Sequence, residues 1–289
     1  METRPYGIND WARTVVLILI SIVMVFPVYW MVMTAIKPLD EWLKYPPVWF
    51  TLRPTLDCFR SILGVLDKPI DFGNPGQAAA VPAILKGLFV SVSATFISMG
   101  AGSMAAYSIS RFRIGGNFLP LFILSARMFP PIAVVLPLLV MYSNVGAIDS
   151  YWGLIVAYAG FTLPFSVWMM KSFIDDVPRA IEEAAIIEGM GNFEVFYKVT
   201  LPIVKTGILV TALFIFILNW SEFLVAFTMC YDRVETAPVF LASLFSAVCG
   251  TLYGPQAAMG LIIVIPVVIF GYLIQEHLAR GFTFGALKR

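Results

Sequence analysis

The fold of this chain is decided by the stretch Ile181-Glu182-Glu183-Ala184-Ala185-Ile186-Ile187-Glu188-Gly189, a polar interruption in the apolar second half of the sequence. Pro178 suits the first turn of a helix, where its missing N–H would have no partner. Gly189 can adopt the left-handed conformation that ends a helix. Asn192 is a good cap for a second short helix, which runs to Leu201-Pro202. We therefore predict a helix–turn–helix element at 175–202.

The composition places the rest of the chain in a membrane. Hydrophobic residues make up 60% of the sequence and charged residues only 13%, which is too few charges to cover a water-facing surface. Segments of about twenty apolar residues can cross a bilayer, and six occur, near 14–36, 84–109, 118–142, 152–170, 206–229 and 255–275. We expect an all-α membrane protein with six transmembrane helices.

Lysine and arginine predict the orientation, because short cytoplasmic loops carry an excess of both. One side of the predicted bundle receives Arg4, Arg13, Arg111, Arg113, Lys171, Arg179, Lys198, Lys205, Arg280, Lys288 and Arg289. Of the opposite short loops, 143–151 has none and 230–254 has only Arg233. Both termini and the 175–202 element are therefore expected in the cytoplasm.

These boundaries divide the chain into an N-terminus with the first transmembrane helix, an extracytoplasmic loop, a core transmembrane domain and a cytoplasmic tail, at 1–36, 37–83, 84–275 and 276–289. The loop is rich in Pro, Gly, Trp and Asp, with a short helix predicted around Leu56–Leu63. Its expected role is contact with a partner outside the membrane or cover of the mouth of the helix bundle.

The sequence offers little for enzyme chemistry. It lacks a phosphate-binding loop of the GxxxxGKS or GxxxxGKT type. The one histidine, His277, leaves no credible Ser–His–acid set. Three scattered cysteines disfavour a metal site, and Cys230 and Cys249 are either bridged or buried thiols. We expect no catalytic residue, metal or cofactor, and no basic stripe indicates nucleic-acid binding.

Two ionisable residues fall inside predicted spans. Arg127 lies in the third span, and Glu222, with Asn219, lies in the fifth. A charge in the hydrocarbon is costly unless it is paired or wetted, so both should face the bundle interior, a cavity or a partner chain. They either line a translocation path, offering hydrogen bonds to a polyhydroxylated solute alongside Trp220 and Tyr142, or form a structural pair with each other or with a partner chain.

The helix–turn–helix element also resembles a known motif. Glu183-Ala184-Ala185, three residues, Gly189, nine residues, Val199, one residue and Leu201-Pro202 are similar to the EAA loop of binding-protein-dependent ABC importer permeases, which usually have Ile at the position of Val199. The alternative is an ordinary amphipathic interfacial helix pair.

Further strings resemble the carbohydrate-importer branch of that family, which contains the smaller maltose-system permease and the glycerol-phosphate permeases. They are Ala105-Ala106-Tyr107, Arg111-Phe112-Arg113, Asp149-Ser150-Tyr151-Trp152-Gly153-Leu154, Leu163-Pro164-Phe165, Asn219-Trp220-Ser221-Glu222-Phe223-Leu224 and the tail from Arg280. The resemblance implies a type I ABC importer permease fold in a bacterial inner membrane. It also implies an ATP-driven importer for a sugar, polyol, glycerol or glycerol phosphate.

The family also implies partners and a mechanism. A second permease, making a heterodimer, two ATPase subunits, an extracytoplasmic solute-binding protein and membrane lipid would surround the chain. Closure of the ATPases would move the spans through the ATPase-coupling residues Glu182, Glu183, Ala184, Ala185, Glu188 and Gly189. The small residues would permit close approach, and the acids would pair with basic groups of the partner. The alternatives are a self-contained secondary transporter or channel, which would need coupling carboxylates or a broken-helix repeat, and a membrane enzyme.

Overall fold

The apolar runs of the sequence form long helices. The computed structural model describes residues 8–66, 80–116, 118–246 and 250–286. Its helices, in chain order, are α1 Ile8–Ile36, α2 Asp57–Ile62, α3 Ala80–Phe112, α4 Phe118–Ala126, α5 Pro131–Asn144, α6 Tyr151–Asp175, α7 Arg179–Ile187, α8 Asn192–Val195, α9 Leu201–Ile203, α10 Lys205–Trp220, α11 Leu224–Met229, α12 Ala237–Ser243 and α13 Tyr253–Ala286. A π-helical segment, Phe196–Thr200, joins α8 to α9. The predicted all-α class is confirmed, with one addition: strands β1 Phe245–Ser246 and β2 Gly250–Thr251 form a two-residue antiparallel ladder.

Among the described residues, four helices have the length and apolar character to cross a membrane, over Trp11–Ile36, Ala80–Phe112, Tyr151–Asp175 and Tyr253–Leu273. Two bent pairs, α4 with α5 and 192–203 with α10, bring the number of candidate spans to six if each pair counts as one. The first pair covers the predicted span 118–142, whereas the second begins before the predicted span 206–229, of which α10 forms only the first part. Residues 276–286 of the predicted tail continue α13, whereas 287–289 lie outside the described residues.

Two predicted spans, 118–142 and 206–229, are not continuous helices. The first is bent by 84° between Ala126 and Pro131, because consecutive prolines remove N–H groups that a continuing helix needs. The second ends at Trp220 and restarts at Leu224. There the carboxylate of Glu222 accepts the Val225 N–H at 3.0 Å, so the side chain starts a new helix in place of the backbone.

The chain divides into two compact units, residues 1–81 with 241–264, and residues 82–240 with 265–289. In the first unit, the segment after α1 is held by Arg53, whose guanidinium donates to Asp40 at 2.6 Å and to Glu41 at 3.2 Å. The short helix predicted around 56–63 is present as α2 and carries the buried thiol of Cys58. Burial, with the nearby charge of Asp57 adding to it, raises the pKa of Cys58 to about 11.

The second unit is organised around α6. One apolar cluster surrounds its N-terminal half, including Leu154 and Tyr158, and another surrounds its C-terminal half, including Met170 and Ile174. α6 approaches α3 so closely that a Cβ on Gly102 would overlap the side chain of Ser166. Small residues and short hydroxyls at helix contacts are typical of membrane bundles, where they allow close backbone packing.

At the N-terminal end of α6, Asp149 ties two loops together. Its carboxylate accepts the backbone N–H groups of four consecutive residues, at distances of 3.3, 3.4, 2.9 and 3.1 Å for Tyr231, Asp232, Arg233 and Val234. Partial burial raises the pKa of Asp149, but these four donors outweigh it and hold the pKa below its usual value. The loop before α6 and the loop after α11 are thereby fixed to each other.

Candidate functional site

The helix–turn–helix element, defined here as residues 179–203, lies at the opposite end of α6 from Asp149. Its first helix, α7, follows Pro178, and Gly189 ends it with a φ of +95°. The N–H of Gly189 bonds to Ile186 O at 2.9 Å, and that of Met190 to Ala185 O at 3.1 Å, which is the pairing of a glycine-terminated helix. The predicted stop at Gly189 is confirmed. The predicted cap at Asn192 is wrong, because Asn192 is the first residue of α8 and Gly191 precedes it.

The buried and exposed faces of α7 separate the predicted coupling residues. Glu182 and Ala185 are buried, whereas Glu183, Ala184, Glu188 and Gly189 are exposed. Large apolar side chains of the same element are also exposed, with Ile187 at 86%, Phe193 at 73% and Tyr197 at 66%. Exposed apolar residues with acids beside them are typical of a surface that contacts another protein or a membrane.

Glu182 differs from its predicted role. We expected its carboxylate to pair with a basic group of a partner, but it accepts from Arg111 Nε at 2.5 Å and from Thr200 Oγ1 at 2.6 Å. The Arg111 and Glu182 side chains are only 8% and 6% exposed. This difference arises because α7 packs its 182/185 face inward, so the carboxylate is neutralised inside the chain itself.

A second candidate site lies at membrane depth. A cavity of about 580 Å³ is bounded by α5, α6, α10 and the two helix breaks, and Arg127, Asn219, Glu222 and Tyr142 all line it. The structure therefore brings the three predicted translocation-path residues to one cavity. Most of the remaining lining is apolar or aromatic, including Phe161.

The charges in this cavity are not paired with each other. The Glu222 carboxylate accepts the N–H groups of Val225 and Ala226. The Arg127 guanidinium is exposed and lies 5.2 Å from the ring centroid of Phe165. The described side chains include no Arg127–Glu222 ion pair. The predicted structural pair is therefore wrong, while pairing of Arg127 with a partner chain stays a prediction.

Asn219 joins two helices. Its side chain is buried, with the residue 2% exposed, and its Nδ2 donates to Thr95 Oγ1 at 3.3 Å. The bond links α10 to α3 and uses one of the two N–H groups of the amide. Of the three predicted path residues, Arg127 alone has a side chain that makes no hydrogen bond to the described residues.

Metal and thiol sites are the other chemical possibilities in this chain. Among the described residues, no three His, Cys, Asp or Glu side chains converge on a point that could hold a metal ion. Cys58 and Cys230 are buried free thiols. Cys249 lies outside the described residues, so the bridge between Cys230 and Cys249 stays a prediction.

Comparison with known proteins defines the family. Residues 98–284 match the model of the binding-protein-dependent transport system inner membrane component family. The chain belongs to this family. It is thus a permease, the membrane subunit of an ABC importer that depends on a binding protein, and a transport component, not an enzyme.

Relatives match this permease along nearly its whole length. It is 32% identical to the trehalose/maltose transport system permease protein MalG of Thermococcus litoralis, covering 94% of each chain. It is 28% identical to the diacetylchitobiose uptake system permease protein DasC of Streptomyces coelicolor, covering 100% of each. A bacterial ABC transporter involved in the import of the acidic polysaccharide alginate shares its fold, with a TM-score of 0.76 over 95% of this chain and 99% of that one at 17% identity.

Two residues that contact Glu182 were not identified as its partners from the sequence. Arg111 was noted as a marker of orientation and as part of a family string, and Thr200 was not singled out. Burial of Glu182 would itself have called for such partners, because a buried carboxylate must be paired or hydrogen-bonded. Asp149 was noted only as part of a family string, although its capping role depends on a loop some eighty residues away.

Proposed function

We propose that this permease pairs with a second permease and two ATPase subunits to import a sugar or a related polyhydroxylated solute delivered by a binding protein. Both termini and the 179–203 element would face the cytoplasm of a bacterial inner membrane. The relatives are named as permeases of trehalose/maltose transport and diacetylchitobiose uptake systems, which supports a saccharide as the solute. Polyols, glycerol and glycerol phosphate stay within the solute class to be tested.

The 179–203 element would couple ATP hydrolysis to the spans. The observation that carries this assignment is its exposed surface, in which the acids Glu183 and Glu188 lie beside large apolar side chains such as Ile187. A partner with basic groups around an apolar groove would complement it, and the charges would contribute more to register than to affinity. Ala185 and Glu182 would act from the buried face, by holding α7 in place.

The cavity at membrane depth would form part of the solute path. A volume of about 580 Å³ lies in the range of small-molecule sites, which combine apolar walls with a few polar groups. Arg127 and Tyr142 would offer hydrogen bonds to hydroxyl groups, whereas Glu222 and Asn219 would shape the wall. The partner permease would close the open side.

The assembly is tested first by co-purification. A tagged permease should bring down a second permease and two ATPase subunits, and vesicles containing the complex with its binding protein should take up a sugar or polyol only with ATP. Uptake without ATP, or with an ion gradient in its place, would favour a secondary transporter or channel and refute the proposal.

The coupling assignment is tested with Glu183→Lys and Gly189→Asp. Both should leave the complex assembled yet abolish solute-stimulated ATP hydrolysis, the first by reversing a charge on the exposed face and the second by forcing a side chain onto a φ of +95°. Gly191→Asp is the matched control, because Gly191 precedes α8 with a φ of −73° and has open space around it. Unchanged stimulation in the Glu183→Lys complex would exclude this surface.

A further inference from the structure

Arg111 makes four side-chain hydrogen bonds, although the sequence suggested for it only a role in membrane orientation. It lies in the last turn of α3, and its Nη2 donates to Ile174 O at 2.9 Å and to Val177 O at 3.1 Å. Nε of the same guanidinium donates to Glu182, and Nη1 donates to Ser110 Oγ at 3.2 Å. One side chain therefore binds the Ile174 carbonyl in the last turn of α6, the Val177 carbonyl just beyond that helix and the buried carboxylate of α7 at once. We call Arg111, Glu182 and Thr200, with the carbonyls of Ile174 and Val177, the Arg111 bracket.

Glu182 also joins the two halves of the 179–203 element. Its second oxygen accepts from Thr200 Oγ1 at 2.6 Å, and Thr200 is fully buried in the π-helical segment that leads through α9 into α10. Two shorter links reinforce the same junction, since Ser110 Oγ bonds to Asp175 and Arg179 Nη2 donates to Ser110 O at 3.1 Å. The adjacent ends of α3 and α6 are thus joined to α7 by charged hydrogen bonds whose central pair, Arg111 and Glu182, is buried.

The arrangement depends on the planar guanidinium. Its fork directs several N–H groups in fixed directions, which a lysine ammonium cannot reproduce on a flexible stem. Charge-assisted hydrogen bonds are also shorter and stronger than neutral ones. Displacing α7 relative to α3 or α6 would strand a buried charge, so these two spans must follow α7 when it moves.

We propose that Arg111 is a positioning residue for transport, which fixes α7 through Glu182 to the ends of α3 and α6 and so passes displacement of α7 to these two spans. The proposal rests on the coupling role of the 179–203 element given above. A role in folding alone would have a different consequence. In that case the Arg111 bracket would stabilise the permease, and its loss would not change the amount of solute transported per ATP hydrolysed.

The decisive variant is Arg111→Lys in the complete importer reconstituted in vesicles. It keeps a cation beside Glu182 but loses the fork to the carbonyls of Ile174 and Val177. We expect the complex to assemble with normal basal ATP hydrolysis, while solute transported per ATP falls at least about fivefold, the lower end of typical coupling effects. Arg113→Lys is the matched control, because Arg113 is exposed two residues further on, and it should retain the wild-type ratio.

A second variant, the double substitution Arg111→Met and Glu182→Met, removes both charges together, so that no unpaired charge is left in the interior. It should assemble and show the same loss of coupling. A wild-type ratio of solute transported to ATP hydrolysed in either assembled variant would show that the Arg111 bracket serves folding alone, and would overturn the proposal. Failure of both variants to assemble would do the same. Absence of ATP-driven uptake by the wild-type complex would instead refute the proposed function, so the two failures are distinguishable.

Discussion

Replacing Asp149 by Asn isolates the charge that joins two loops of this permease. Asp149 has a φ of +51°, which Asn tolerates as well as Asp, so the substitution adds no backbone strain. The carboxylate accepts four N–H groups, of which those of Arg233 and Val234 are the closest at 2.9 and 3.1 Å. Hydrogen bonds to a charged group contribute about 1.5–3 kcal/mol, and the lower end applies because three of the four bonds are exposed to solvent.

We therefore expect Asp149→Asn to lower the free energy of unfolding by about 1.5 kcal/mol, measured as a fall in Tm of roughly 3–6 °C in detergent. The effect should depend on pH. Because the folded-state pKa of Asp149 is below its usual value, the stabilisation is present above the unfolded-state pKa of about 3.9 and is lost as the pH falls through the folded-state pKa. The difference between wild type and variant should shrink over that interval.

Asp232→Asn is the control for this prediction. Asp232 lies in the same loop, is exposed, and contributes its backbone N–H to the cluster, so its side-chain charge should matter little. Equal Tm values for Asp149→Asn and Asp232→Asn at neutral pH would refute the reasoning. So would a deficit of Asp149→Asn that persists unchanged below the folded-state pKa.

Two further predictions concern the bundle. Gly102→Val should lower the free energy of unfolding by about 1–3 kcal/mol, because its side chain would overlap Ser166. Gly100→Ala, in the interior of α3 with open space around the glycine, should not lower the Tm. Equal Tm values for the two variants would contradict this packing. Arg127→Gln should leave the free energy of unfolding within about 0.5 kcal/mol of wild type, as is usual for a residue without an ion pair. It should nevertheless lower solute uptake by the assembled complex. Normal uptake would show that Arg127 does not lie on the solute path.

The sequence predicts those features of the fold that depend on neighbouring residues. Hydropathy located the spans because lipid imposes length and apolar character on each segment separately. Gly189 could be assigned as the end of α7 because a left-handed residue after a helix is a local requirement. The 84° bend after Ala126 was within reach for the same reason, since Pro130 and Pro131 stand at the break.

Features that depend on distant residues were not predictable in this way. The break after Trp220 occurs where the Glu222 carboxylate accepts nearby backbone N–H groups and does not pair with a distant cation. Hydrophobic periodicity does not show which of these partners a carboxylate binds. Similarly, the inward direction of Glu182 depends on Arg111, 71 residues earlier. A pattern of spacing identifies which residues share a face but not which face a bundle covers.

The adjacent acids Glu182 and Glu183 show why this distinction matters for function. Glu182 is neutralised by Arg111 inside the permease, so the outward charge of α7 comes from Glu183 and Glu188. In the proposed coupling role, a partner would need basic groups for these two positions, while Glu182 holds α7 against the end of α3 through Arg111. A substitution at Glu182 would then alter coupling without touching the partner. Under this proposal, recognition of the partner and transmission to the spans would reside on opposite faces of one nine-residue helix.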